Sequence, residues 1–169
     1  VDVADTIGVG TPLKVQRAIE ATLAHFGIDQ ISGHFHDTYG QALSNTLAAL
    51  QMGVWNFQSS VAGLGGCPYA KGATGNVATE DLVHLFQRMD IRRDIRLDVL
   101  NEAAKQAEEF LGRALPGKVH VTGPVPDAVV AFTVISASGS KIDASVSFSV
   151  STTPPVKVIS VASTSKALR

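Results

Sequence analysis

Residues Gln30–Gly53, "QISGHFHDTYGQALSNTLAALQMG", change their hydrophobic rhythm halfway along. The first seven residues read as a β-strand, and from Gly40 the apolar positions recur at helical spacing until Gly53 closes the run. A strand leading straight into a helix is half of a βαβ unit. The same pattern appears on both sides. Upstream, "VDVAD" (1–5) is a short β-type run ended by "TIGVGTP", and Pro12 suits the first turn of a helix. That helix is predicted to run to about Phe26, with Val15, Ala18, Ile19, Thr22, Leu23 and Phe26 as its apolar stripe and Gly27 as its stop. Downstream, "VWNFQSS" (54–60) is a third strand. Thr79 reads as an N-cap with Glu80 and Asp81 in the first turn, opening a helix through about Met89. A last amphipathic helix, "RLDVLNEAAKQAEEFLG", ends at Gly112.

Three strands starting roughly 25–30 residues apart, each gap filled by a helix, imply parallel pairing through right-handed crossovers. The fold class is therefore α/β, either a doubly wound sheet or part of a (β/α)8 barrel. Both architectures place function at the C-terminal ends of the strands. Asp5, His34, His36, Asp37 and the 60–76 loop all fall there. The chain has 169 residues, enough for one domain with a core, and a formal net charge of −1 with no Lys/Arg cluster. This balance gives no reason to expect a nucleic acid or an anionic membrane as partner. No apolar run approaches the roughly eighteen residues of a membrane span. A single cysteine forms no internal disulfide and suits a reducing compartment.

Residues 121–169 differ in character. They are rich in Ser, Thr and Val, and "IDASVSFSVS" alternates with period two. A β-hairpin, a disordered tail and sequence foreign to the domain are the readings open, the last preferred because the change after "LPGKVH" is abrupt. The expected division is 1–120 as a domain and 121–169 as an atypical tail. The chain also opens on "VDVADTIG" without an initiator Met or leader, as if entered in the middle of a strand.

Two clusters carry candidate chemistry. His34 and His36 are spaced i, i+2 on a predicted strand, so both imidazoles face one side and could share one ion. Two ordinarily hydrogen-bonded histidines are the equally open alternative. Asp37 directly after them favours metal or acid–base work, because carboxylates orient ligand histidines. Nitrogen and oxygen donors suit several divalent ions. Asp5 either caps the turn before "GVGTP" or places charge and moves protons at the sheet edge. The second cluster is Gly63–Asn76, "GLGGCPYAKGATGN". It is not a Walker loop, since Lys71 precedes Gly72, and not a dinucleotide fingerprint, since Pro68 stands where a glycine is needed. It remains a glycine-rich loop able to approach a ligand closely, with Cys67, Tyr69, Lys71, Thr74 and Asn76 as its polar groups.

"HFHDTYGQALSNTLAALQMGV" followed by "SSVAGLGGCPYAKGATGNVATEDLV" closely resembles the 3-hydroxy-3-methylglutaryl-CoA lyases, from residue 1 to about 120. The resemblance implies a partial TIM barrel comprising the last three βα units. It also implies cleavage of 3-hydroxy-3-methylglutaryl-CoA to acetoacetate and acetyl-CoA, as in ketone-body formation and leucine degradation. By the same resemblance His34, His36 and Asn76 match the ligands of a divalent metal, Mg²⁺ or Mn²⁺. Cys67 matches the catalytic cysteine, His34 is a candidate for proton handling, and Asp5 matches an acidic residue near the substrate. Gly63, Gly65, Gly66 and Tyr69 belong to the substrate loop. An acyl-CoA is the implied partner, and homo-oligomer formation is left open for a full-length protein. The compartment would be the cytoplasm in a bacterium or the mitochondrial matrix in a eukaryote.

Related isopropylmalate and homocitrate synthases share His-x-His but carry a Gly-Glu-Arg-type loop. An aldolase-type synthase and a non-catalytic truncated product are the alternatives. Two positions depart from the family pattern. Gln58 stands where aspartate is usual, and an arginine–aspartate pair expected on the family's first strand has no counterpart here. Three βα units also fall short of a barrel of about 250 residues. The expectation is that this chain alone does not turn over.

Overall fold

A computed structural model describes residues 1–66 and 75–123, all of them within the compact unit Val1–Val125. Cys67 and Tyr69 lie outside the described residues, as does the tail from residue 124 onward. The elements alternate as the periodicity predicts. They run β1 (Asp2–Asp5), α1 (Pro12–Leu23), β2 (Ser32–Phe35), α2 (Ala42–Gln51), β3 (Asn56–Gln58), α3 (Thr79–Arg88), α4 (Leu97–Leu111) and α5 (Val119–Thr122). The three strands form one parallel sheet in the order β1-β2-β3. Asp2 pairs with Ser32, Ala4 with His34, and His34 with Gln58.

Alternation then separates two faces. Phe35, fully buried, and the partly buried Val3 and Phe57 pack with Val15 and Ile19 of α1, Ala42, Ala49 and Leu50 of α2, and Leu82 and Phe86 of α3. The Phe57 and Phe86 rings lie 5.7 Å apart, a tilted aromatic contact that adds to the burial. Asp2, Ala4, Ser32, His34, Asn56 and Gln58 alternate with these residues along the strands and form the opposite face.

Several boundaries differ from the sequence reading. Helix α1 ends at Leu23, not Phe26, and of its predicted stripe only Val15 and Ile19 are buried. Gly27 is extended at φ −68° and does not act as a left-handed stop. The Gln30 side chain accepts the Gly27 N–H at 3.0 Å and closes a one-turn 3₁₀ segment there, which replaces the helix's last turn. Thr79 is the first residue of α3, not its cap, and its hydroxyl meets Ser59 Oγ at 2.9 Å. Gly112 does end α4 in the left-handed conformation, φ 62°. The short α5 has no counterpart in the sequence reading.

Candidate functional site

The site assembles where the C-terminal end of β2 meets the returning end of the glycine loop. His36 N–H bonds Asp5 O (3.2 Å), Asp37 N–H bonds Gly75 O (3.1 Å), and Val77 N–H bonds Phe35 O (3.0 Å). Val77 O in turn accepts from Ser60, and Thr79 N–H reaches Ser60 O at 2.8 Å. Residues 75–79 are thus laced between β2 and the segment after β3, which sets Asn76 opposite His36 in an isolated antiparallel bridge. Two glycines permit this. A Cβ on Gly75 would overlap the carbonyl oxygens of Gly63 and Gly65, and one on Gly65 (φ +104°) would stand 2.8 Å from Asn76 Nδ2.

His34 and His36 come together as their spacing predicts, with ring centroids 5.3 Å apart. Asn76 donates its amide hydrogen to Leu64 O at 3.0 Å, and its Oδ1 is buried with no hydrogen-bond partner among the described residues. Nδ1 of the buried His36 likewise has no partner among the described residues. Burial foremost, then the neighbouring His34, pulls the His36 pKa below its usual value, against the charge of Asp5. The ring is therefore neutral near pH 7, the form in which imidazole is a ligand. Two orphaned donor atoms on bridged residues, with a second imidazole alongside, fit a divalent cation that accepts nitrogen and oxygen. Among the described residues no group of three His, Cys, Asp or Glu side chains gathers to hold a metal, so the set is two imidazoles and an amide.

Asp5 holds the β1–α1 turn, its oxygens accepting Val9 N–H (3.1 Å) and Gly10 N–H (2.7 Å). Asn45 of α2 donates to Gly10 O at 3.2 Å and ties the same turn down. Asp37 does not serve the histidines in the way its position suggested. Its Oδ1 accepts the first N–H of α2, from Ala42, at 3.0 Å, and Oδ2 pairs with Lys118 Nζ at 3.1 Å. The group that meets His34 is Gln58, whose Oε1 lies 2.8 Å from His34 Nδ1 while Nε2 donates to Asp2 Oδ1 at 2.9 Å. Asp2 also accepts the Ser32 hydroxyl, and these two hydrogen bonds, Ser32's first, hold its carboxyl below the usual aspartate range.

Behind the site, Glu80 is fully buried and receives Ala62 N–H on both oxygens, at 2.9 and 3.1 Å. Ala62 has φ +52°, so this carboxylate secures a strained residue at the start of the glycine loop. Asp81 accepts Lys118 N–H (3.0 Å) and Val119 N–H (2.8 Å), fixing the start of α5. The sequence reading placed both acids at a helix N-terminus and missed these reaches to distant backbone. A cavity of about 410 Å³ opens beside Gly63, Leu64, Gly65 and Gly75 and is walled by Arg113–Pro116. Gly66 is exposed at the edge of the described loop.

A family model described as HMGL-like matches residues 1–106. The chain is 51% identical over 114 residues to a hydroxymethylglutaryl-CoA lyase of Bacillus subtilis, covering 68% of this chain and 38% of that protein. It resembles the crystal structure of the Pseudomonas aeruginosa hydroxymethylglutaryl-CoA lyase with a TM-score of 0.69 and 46% identity, over 72% of this chain and 41% of that one. An Acinetobacter baumannii HMG-CoA lyase, solved with coenzyme A and 3-methylmalate, matches with a TM-score of 0.68 and 37% identity, over 74% of this chain and 43% of that one. The chain spans about two-fifths of the length of the relatives it matches.

Proposed function

The chain belongs to the HMGL-like family, and from that premise we propose that the protein containing it cleaves 3-hydroxy-3-methylglutaryl-CoA to acetoacetate and acetyl-CoA. The observation that carries the reading is that His36 lies beside the His34 ring and bridges to Asn76, with a buried ring nitrogen on His36 and a buried amide oxygen on Asn76 that have no partner among the described residues. These residues would hold Mg²⁺ or Mn²⁺, which supplies positive charge to the substrate's oxygens when bound. Cleavage requires a base to take the proton of the tertiary hydroxyl and an acid to protonate the enolate of the departing acetyl thioester.

His34 stands at the open face of the sheet and is the proposed proton handler on the hydroxyl side. Cys67, by its match to the family's cysteine, is the proposed partner at the enolate. Asp5 adds negative charge near His36 while its oxygens keep the β1–α1 turn in place. Gly63, Gly65 and Gly66, with Tyr69, form the proposed substrate loop. Its backbone runs close to the ligand residues because Gly65 and Gly75 admit no side chain. The acyl-CoA is the proposed partner. The proposed compartment follows the relatives, which include bacterial and mitochondrial lyases.

Two measurements test the reading. Full-length protein given 3-hydroxy-3-methylglutaryl-CoA and Mg²⁺ should release acetoacetate, and condensation activity in its place would overturn the assignment. Calorimetric titration with Mn²⁺ should show binding that falls at least about tenfold in His36→Ala, as expected for loss of an ion's ligand. Unchanged affinity would remove His36 from the site.

A further inference from the structure

Gln58 bridges two groups of opposite demands. Asp2, ionised, can only accept hydrogen bonds, so the end of the Gln58 amide that faces it must be the N–H₂ end. The end left for His34 is then the carbonyl, which can only accept. Amide orientation and histidine tautomer are settled by such networks. Followed from Asp2 outward, this network allows the neutral ring one arrangement: His34 Nδ1 carries the hydrogen and Nε2 carries the lone pair. The strand register supports it, because His34 and Gln58 are direct partners across β2 and β3, while Asp2 is paired with Ser32 one step back on the same face. Ser32 donates to the same Asp2 oxygen and strengthens the acceptor-only character at the far end.

We propose that Asp2 and Gln58 act as positioning residues, a hydrogen-bond relay of fixed polarity that selects the Nδ1–H tautomer of His34 and presents its Nε2 as the ligand atom. The inference rests on the metal reading above for its purpose and on the hydrogen-bond directions alone for its content. Ligand histidines commonly donate their second ring N–H to a carboxylate or a carbonyl, and loss of that partner costs roughly 10- to 100-fold in metal affinity. Here a side-chain amide carbonyl occupies that place. The carboxylate sits one residue further out, where it sets the direction of the amide. A glutamine that merely filled exposed surface would leave the tautomer of His34 indifferent to its removal.

The test uses the full-length protein that contains this chain, labelled with ¹⁵N-histidine, free of metal, at a pH where the rings are neutral. Long-range ¹H–¹⁵N spectra report which nitrogen bears hydrogen, and the His34 signal is the one missing in His34→Gln. Wild type should show hydrogen on Nδ1. Gln58→Leu should lose that preference and bind Mn²⁺ about 10- to 100-fold more weakly, whereas Gln58→Glu, which retains an acceptor, should keep it. Asp2→Asn, at an exposed position, lets the neighbouring amide donate or accept and should give a mixed population. Hydrogen on Nε2 in wild type, or a tautomer unmoved in both Gln58→Leu and Asp2→Asn, would overturn the relay. Mn²⁺ uptake by a chain whose His34 bears hydrogen on Nε2 beforehand overturns the relay and spares the metal reading. The Nδ1–H tautomer in a full-length protein that takes up no Mn²⁺ overturns the metal reading and upholds the relay.

Discussion

The two faces of the parallel sheet use alternate residues of the same three strands and are held by different forces. On one, Val3, Phe35 and Phe57 meet the apolar sides of α1, α2 and α3 and leave water. On the other, Asp2, Ser32, His34 and Gln58 are open to solvent and linked by hydrogen bonds. The difference assigns labour. Burial of apolar area supplies most of the stability. Hydrogen bonds in water contribute little net energy but have direction, and direction is what a ligand site needs. The helix-facing side can thus be read as the foundation and the open side as the instrument.

Substitutions can break this contrast. Phe35→Ala, on the buried face, should cost about 3–5 kcal/mol in a denaturant titration. A loss under about 1 kcal/mol would mean that this face is not the core. Glu80 is the intermediate case, a polar group buried as deeply as Phe35. Desolvation, its main influence, raises its pKa above the usual 4.5 despite the hydrogen bond from Ala62. The folded state therefore holds the proton more tightly than the unfolded state. The stability this contributes is complete below pH 4.5 and is lost as pH rises through the higher folded value. Melting temperatures followed from pH 4 upward should fall through that window in wild type. In Glu80→Gln, which keeps one acceptor for Ala62, that fall should be absent. Ser32→Ala, on the open face, should leave the denaturation midpoint in place and move only the Asp2 titration. Carbon-13 NMR should show that carboxyl returning upward toward 3.8, because its foremost stabilising hydrogen bond is gone.

Much of this was legible in the chain's periodicity. "QISGHFH" contains β2, "GQALSNTLAALQMG" contains α2, and Gly112 closes α4, because strand alternation, helical stripes and left-handed glycines are local properties. His34 and His36 were readable as a pair for the same reason. Asn76 was placed in the site by resemblance alone, since forty residues separate it from His36 in the chain. What misled was also local. Asp37 follows the histidines in sequence but turns to α2 and Lys118. Gln58, read only as a departure from the family's usual aspartate, is the residue that meets His34. Phe26, apolar and in phase with the α1 stripe, lies beyond the end of the helix, half out of the core.

The sequence by itself determined the order of strands and helices, their parallel pairing, the two-faced strands and the types of donor available for a metal. The elements and their two faces depend on residues within a turn or two of one another, where the period of the backbone dictates which side chains share a face. Parallel pairing follows from a strand spacing that leaves room for a crossover helix. Only the tertiary structure decided which residues meet across the gaps. The β2–β3 register sets Gln58 against His34, the absence of side chains at Gly65 and Gly75 seats Asn76, and Asp2 gives the Gln58 amide its direction. The contacts of Gln58 with His34 and Asp2 join residues 24 and 56 positions apart, where hydrogen-bond polarity and close packing decide the partner and chain periodicity has no say.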